Sequence, residues 1–175
     1  ARFTIPLLRQ LYFLGLGAHG PTAALANADT LVLVDLTHGT VRPVNSKHTL
    51  LNCVDFTPDG AKLALADSAA LRIMDLATGA LVHAPAHYGS TIRSLAFSED
   101  PPRLWSACID RTVYAHDPDD GSLVARAALP GVPDALCPRS DGAPPRVLVR
   151  DLQAITLFEA TDGSLVGSAP LGSDT

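Results

Sequence analysis

Apolar and polar residues alternate along most of this chain, and the alternation stops at regular intervals. Four segments share one shape: LVLVDLTHGTV (31–41), LRIMDLATGALV (71–82), VYAHDPDDGSLV (113–124) and ITLFEATDGSLV (155–166). Each reads as an alternating apolar run, an acid, a polar stretch ending in glycine, and a second alternating run. A period of two places one face of each run against a core, and predicts strands. The acids are Asp35, Asp75, Asp117 and Glu159, and the glycines are Gly39, Gly79, Gly121 and Gly163. A glycine four residues after an acid suits a tight turn that needs positive φ between antiparallel strands.

The register extends upstream. VDFTPDGAKLALA (54–66) lies 40 residues after LGLGAHGPTAALA (14–26), LAFSEDPPRLWSA (95–107) follows with a slip of one residue, and LCPRSDGAPPRVLV (136–149) is the fourth copy. The glycine spacings, 79 − 39 = 40, 121 − 79 = 42 and 163 − 121 = 42, give the same unit length. Each unit therefore predicts four strands, and no helical period appears. Four strands per roughly 40 residues is the pattern of a β-propeller. The predicted fold class is all-β, with about four blades of four antiparallel strands over 8–45, 46–85, 86–128 and 129–170. Residues 1–7 and 171–175 flank them.

At this level the chain resembles the WD-repeat family, and the third unit carries the resemblance best. His87 stands in the loop AHYGSTIRSLAF, Ser106 in LWSACID, and Asp110 seven residues before Asp117. In that family these positions form a buried hydrogen-bond network, which the resemblance assigns to His87, Ser106 and Asp110. His116 stands where the family has Trp, so the network here is altered. The other units depart further: Val34, Met74 and Phe158 hold the Trp position, while Ala28, Ser68 and Leu152 replace the turn Asp. His48 matches the loop His of the second unit. Closed propellers have about four to eight blades, and an open end exposes apolar surface. The chain also opens on Ala1 without a Met. The expectation is part of a larger propeller, completed by further residues or a partner chain, with a self-closed four-bladed ring as the alternative.

Composition narrows the partners. The chain has 175 residues, 47% hydrophobic, with a formal net charge of −5, enough for a packed core and not a basic surface. No run reaches the roughly 18 apolar residues of a spanning helix. The N-terminal RFTIPLLRQLYFLGLGA is similar to a signal peptide, but Arg9-Gln10 interrupts it and the repeat uses residues from Leu14 on; it reads as structure. Neither a membrane nor a nucleic acid is an expected partner. Cys53, Cys108 and Cys137 are three, without C-x-x-C spacing. That disfavours a disulfide or zinc framework and suits the cytoplasm or another reducing intracellular compartment.

No constellation points to catalysis. The innermost-strand position that supplies channel ligands in propeller enzymes reads Gly15, Asp55, Ala96 and Cys137. One carboxylate in four makes no cage for a cation wanting six to eight oxygens, so Asp55 is expected to be a solvated strand residue. DPDDG (117–121) lacks the downstream Glu of a calcium loop, since Ala128 stands there, and reads as a capped turn. His83 and His87 have a metal-pair spacing only on a helix. No G-x-S-x-G elbow is present, and the cysteines read as small core hydrophobes. Phe13, Phe56, Phe97, Trp105 and Phe158 fall at strand positions and suit core packing. No catalytic residue, metal ligand or cofactor is expected.

Surface loops remain. The candidate partner-binding residues are His48 and Tyr88 in the loops before the first strands, and Asp67 and Arg111 at the tight turns. A rigid aromatic such as Tyr88 suits an interface anchor. The expected function is a non-catalytic protein–protein interaction scaffold, a WD-repeat subunit of a larger multi-protein complex with other protein subunits as partners. The alternative is a propeller enzyme, or a binder of small ligands or metals, that uses the central channel.

Overall fold

The computed structural model describes residues 12–16, 22–26, 30–44, 51–68, 70–83, 90–139 and 146–171, with backbone alone for 12–16 and 83. The described residues form sixteen strands and no helix, in four antiparallel sheets of four. The first sheet is β1 (Tyr12–Leu16), β2 (Thr22–Ala26), β3 (Leu31–Asp35) and β4 (Val41–Val44). The second is β5 (Leu51–Phe56), β6 (Lys62–Asp67), β7 (Ala70–Asp75) and β8 (Leu81–His83). The third is β9 (Ile92–Ser98), β10 (Arg103–Cys108), β11 (Thr112–His116) and β12 (Leu123–Ala128). The fourth is β13 (Pro133–Arg139), β14 (Arg146–Asp151), β15 (Ala154–Glu159) and β16 (Leu165–Pro170). Strands within each sheet neighbour one another in chain order, so each unit is a local meander. No helix among the described residues is long and apolar enough to cross a membrane.

Alternation decides which side chain meets which neighbour. In β6, Leu63 and Leu65 face the first sheet, packing with Leu31, Leu33, Val54 and Phe56. The residues between and after them, Ala64 and Ala66, face the third sheet with Leu71 and Ile73, against Phe97, Leu104 and Tyr114. In the third sheet Trp105, Ala107, Val113 and Ala115 turn the other way, onto Val147, Val149 and Phe158 of the fourth. Small residues on one face meet large ones on the next, which lets the sheets approach closely at native packing density. Each fully buried Leu, Ile or Phe contributes about 1.5–3 kcal/mol, so most of the stability lies in these three layers between sheets. The last strands are the wet ones: β12 alternates between half-buried and exposed, and β16 is mostly exposed.

The first strands gather the sheets. β1 packs beside β5, β5 beside β9, and β9 beside β13. Among the described residues no strand of the fourth sheet packs on the first to a similar extent.

Candidate functional site

Three side chains stitch the first strands together. Asn52 on β5 donates through Nδ2 to the Ile92 carbonyl at 3.3 Å. Asp55 accepts the Phe97 backbone N–H at 2.7 Å. Ser94 on β9 accepts the Leu136 N–H at 3.2 Å. Neighbouring first strands do not pair as a ladder, so their facing N–H and C=O groups need other partners. The expectation of a solvated Asp55 is therefore corrected. Its carboxylate is half-buried between two sheets, and burial raises its pKa, against the pull of the Phe97 and Phe56 N–H groups. Burial also pushes the nearby Cys53 thiol, and Cys108, up to about 12, where a thiolate nucleophile is not populated at neutral pH. Cys137, read from sequence as a core residue, is exposed on β13.

At one end of the sheets lie the acid–glycine turns. Gly39, Gly79, Gly121 and Gly163 have φ of 70°, 75°, 74° and 72°. Each donates its N–H to the carbonyl of the acid four residues back, at 2.8–3.0 Å. Asp35 caps Thr37 and His38, Asp75 caps Ala77 and Thr78, and Asp117 caps Asp119. Glu159 is too long to cap its own turn, and instead accepts from Arg146 Nε at 3.3 Å. The His38 ring, its Nδ1 2.9 Å from Asp35 Oδ2, is the main cause that holds Asp35 below the usual carboxylate range, and the Thr78 N–H is the main cause for Asp75.

The same end carries a cleft of about 370 Å³ where the second and third sheets meet. Its walls are the β5–β6 turn (Thr57, Pro58, Asp59), Ser98 at the end of β9 with Glu99 and Pro102 of the turn that follows, and Pro118-Asp119 of the β11–β12 turn, with Phe97 beneath. Lys62 crosses it: its Nζ donates to the Pro118 carbonyl at 3.0 Å and pairs with Asp119.

The opposite end holds the tight turns. Asp67 is buried at the end of β6, its side chain 8% exposed, and pairs with Arg72 at 2.7 Å. A carboxylate so engaged is not a loop residue offered to a partner. Arg111 is exposed with φ 66°, and its carbonyl accepts the Leu129 N–H at 2.7 Å. Asp110 is exposed too, and its Oδ1 accepts the Thr112 N–H at 3.0 Å, a cap on its own turn. Ser106 is fully buried on β10. His116 is also fully buried, with Nδ1 3.1 Å from the Gly121 carbonyl; that partner accepts only, so Nδ1 carries the proton. His48, His87 and Tyr88 lie outside the described residues.

Two polar arrangements were missed in the sequence. Trp105 Nε1 donates to Ser98 Oγ at 3.2 Å, and that hydroxyl donates to the Pro101 carbonyl at 3.0 Å. Asp151 is buried and caps Gln153 and Ala154, both at 2.7 Å. It matches Asp67 in strand position, a recurrence that aligning β6 with β14 reveals. Among the described residues no three His, Cys, Asp or Glu side chains group as metal ligands. The chain matches no protein-family model, and no curated protein matches it.

Proposed function

We propose that the four sheets are WD-repeat-like propeller blades, and that the chain is a non-catalytic interaction scaffold within a larger multi-protein complex. The observation that carries this reading is the outer face of the fourth sheet. Val147, Val149 and Phe158 point to the third sheet, so Leu148, Ile155 and Leu157 point the other way by alternation. They correspond to Ala64, Leu71 and Ile73, which the second sheet buries against the third. In the fourth sheet the same three are only half-buried. A face patterned for burial and left half-wet suits another blade or a partner subunit.

Two further observations support a scaffold. Asp55, the one carboxylate at the innermost-strand position, is engaged by Phe97 N–H, which favours a structural part over channel chemistry. Cys53 is half-buried and Cys108 buried, and both are free thiols, which suits a reducing compartment. A rigid disc presenting short loops lowers the ordering cost of binding.

The test is a charge on the outer face. Leu148→Lys and Leu157→Lys, introduced together, are expected to release the chain from its complex on a native gel while far-UV circular dichroism stays that of the wild type. A folded double variant that still migrates with the complex overturns the assignment of this face.

A further inference from the structure

We infer that the chain pairs with a second copy of itself through β16, the last strand of the fourth sheet, edge to edge and antiparallel. β16 ends its sheet, and five of its six residues are exposed. Such an edge offers unpaired N–H and C=O groups to another strand, and proteins guard it with charges, proline, shortness or cover. The other three outer strands carry those guards. β4 has Arg42 and Pro43, and the Arg42 guanidinium reaches over to donate to the Leu76 carbonyl at 3.2 Å. β8 is three residues long. β12 carries the exposed Arg126. β16 reads LVGSAP, and no charged residue stands between Asp162 and Asp174. Its one guard is Pro170, at the last position. Three large apolar side chains on it or just after it are exposed, Leu165 (63%), Val166 (41%) and Leu171 (40%). β4 and β12 expose one each, Val41 and Val124.

The pairing with β15 fixes which backbone groups face outward. The Leu171 N–H donates to the Gln153 carbonyl at 2.8 Å, and next to it Pro170 pairs with Ala154, Ala169 with Ile155 and Ser168 with Thr156. Hydrogen-bonded and non-bonded pairs alternate along an antiparallel ladder, and side chains lie closer in the non-bonded ones. Ser168 therefore falls in a non-bonded pair, in agreement with its hydroxyl 3.4 Å from that of Thr156. Its N–H and C=O both turn away from β15. A twofold axis at Ser168 lets two copies exchange both of these bonds. The same register sets Val166 opposite the second copy's Pro170, Gly167 opposite its Ala169, and Leu165 opposite its Leu171. Each exposed apolar side chain of the edge then meets an apolar one, and no charge meets a charge. A twofold contact requires a surface that complements itself, and this match of the strand to its own reverse names a second copy as the occupant.

The contact is an edge, whereas the scaffold reading rests on a face, so the two fail separately. Sedimentation velocity of the chain from about 5 to about 500 μM is the test; one strand pair is smaller than a standard interface, and the expected Kd is about 100 μM. The mass is expected to rise with concentration from 18.3 kDa toward twice that value. Ser168→Lys sets like charges across the axis, and is expected to weaken the dimer at least about tenfold while circular dichroism stays that of the wild type. Ser168→Cys in a Cys137→Ser background reads the same contact without adding a charge. Hydrogen-bonded antiparallel Cα atoms lie about 5.5 Å apart, within reach of a disulfide, so air oxidation is expected to link two copies. A chain that stays at 18.3 kDa at about 500 μM, a dimer indifferent to Ser168→Lys, or the absence of the linked dimer overturns the pairing. Leu148→Lys with Leu157→Lys is expected to leave the dimer intact; its loss there would place the contact on the outer face and overturn the edge.

Discussion

Asp55 shows how one side chain is shaped by the seam between two sheets. The Phe97 N–H needs an acceptor, and Asp55 Oδ2 supplies it at 2.7 Å. The geometry asks for an oxygen rather than a charge, and burial penalises the charge. The two roles separate by substitution. Asp55→Ala orphans the N–H and is expected to cost about 1–3 kcal/mol. Asp55→Asn keeps an acceptor and loses the buried charge, so it is expected to cost far less at pH 7. The pH dependence follows from the sign of the shift. The folded pKa lies above the unfolded value of about 3.9. From there upward to the raised value, the native state holds more of the proton than the unfolded chain, and stability falls as pH rises. Asp35, Asp75 and Asp162 are shifted downward and act with the opposite sign at lower pH, and they are common to wild type and variant. Urea midpoints at pH 4 and pH 7 are therefore expected to move in favour of Asp55→Asn at the higher pH; a difference that does not change with pH contradicts the buried-charge account.

At the scale of the element, the acid–glycine turn recurs four times with one backbone but different surroundings. Gly79 has φ +75° and nothing within 4 Å of where a Cβ would be. Gly163 has φ +72°, and a Cβ there would lie 2.7 Å from the Ala125 Cβ on β12. Gly79→Ala is expected to cost only the left-handed backbone strain, about 1 kcal/mol. Gly163→Ala adds overpacking between the third and fourth sheets, about 1–3 kcal/mol more. Equal losses in chemical denaturation would mean that the turn, not the joint between sheets, sets the cost. The turns were legible in the sequence because acid and glycine hold a fixed spacing, and the strands because alternation is a local signal. The partner of a polar side chain 40 residues away was not. Nothing near Asp55 shows that Phe97 N–H faces it, and nothing near Asp67 marks its carboxylate as buried beside Arg72. The exposure of Cys137 was hidden too, because its neighbours Ala135 and Leu136 read as strand core. The cleft at Phe97 joins three turns distant in sequence and carries no motif.

For the molecule as a whole, the repeat made the four sheets and their order readable, because each sheet closes within its own unit of about 40 residues. What meets the outer face of the fourth sheet is not written in the repeat. Native mass spectrometry of the protein, purified gently from its source, tests the scaffold reading most directly. The account predicts a species that carries further protein mass in fixed stoichiometry with this chain, and its loss in the variant with Leu148→Lys and Leu157→Lys. A lone species near 18.3 kDa, with at most a small bound ligand, would contradict the scaffold and favour a self-contained propeller that works through its channel.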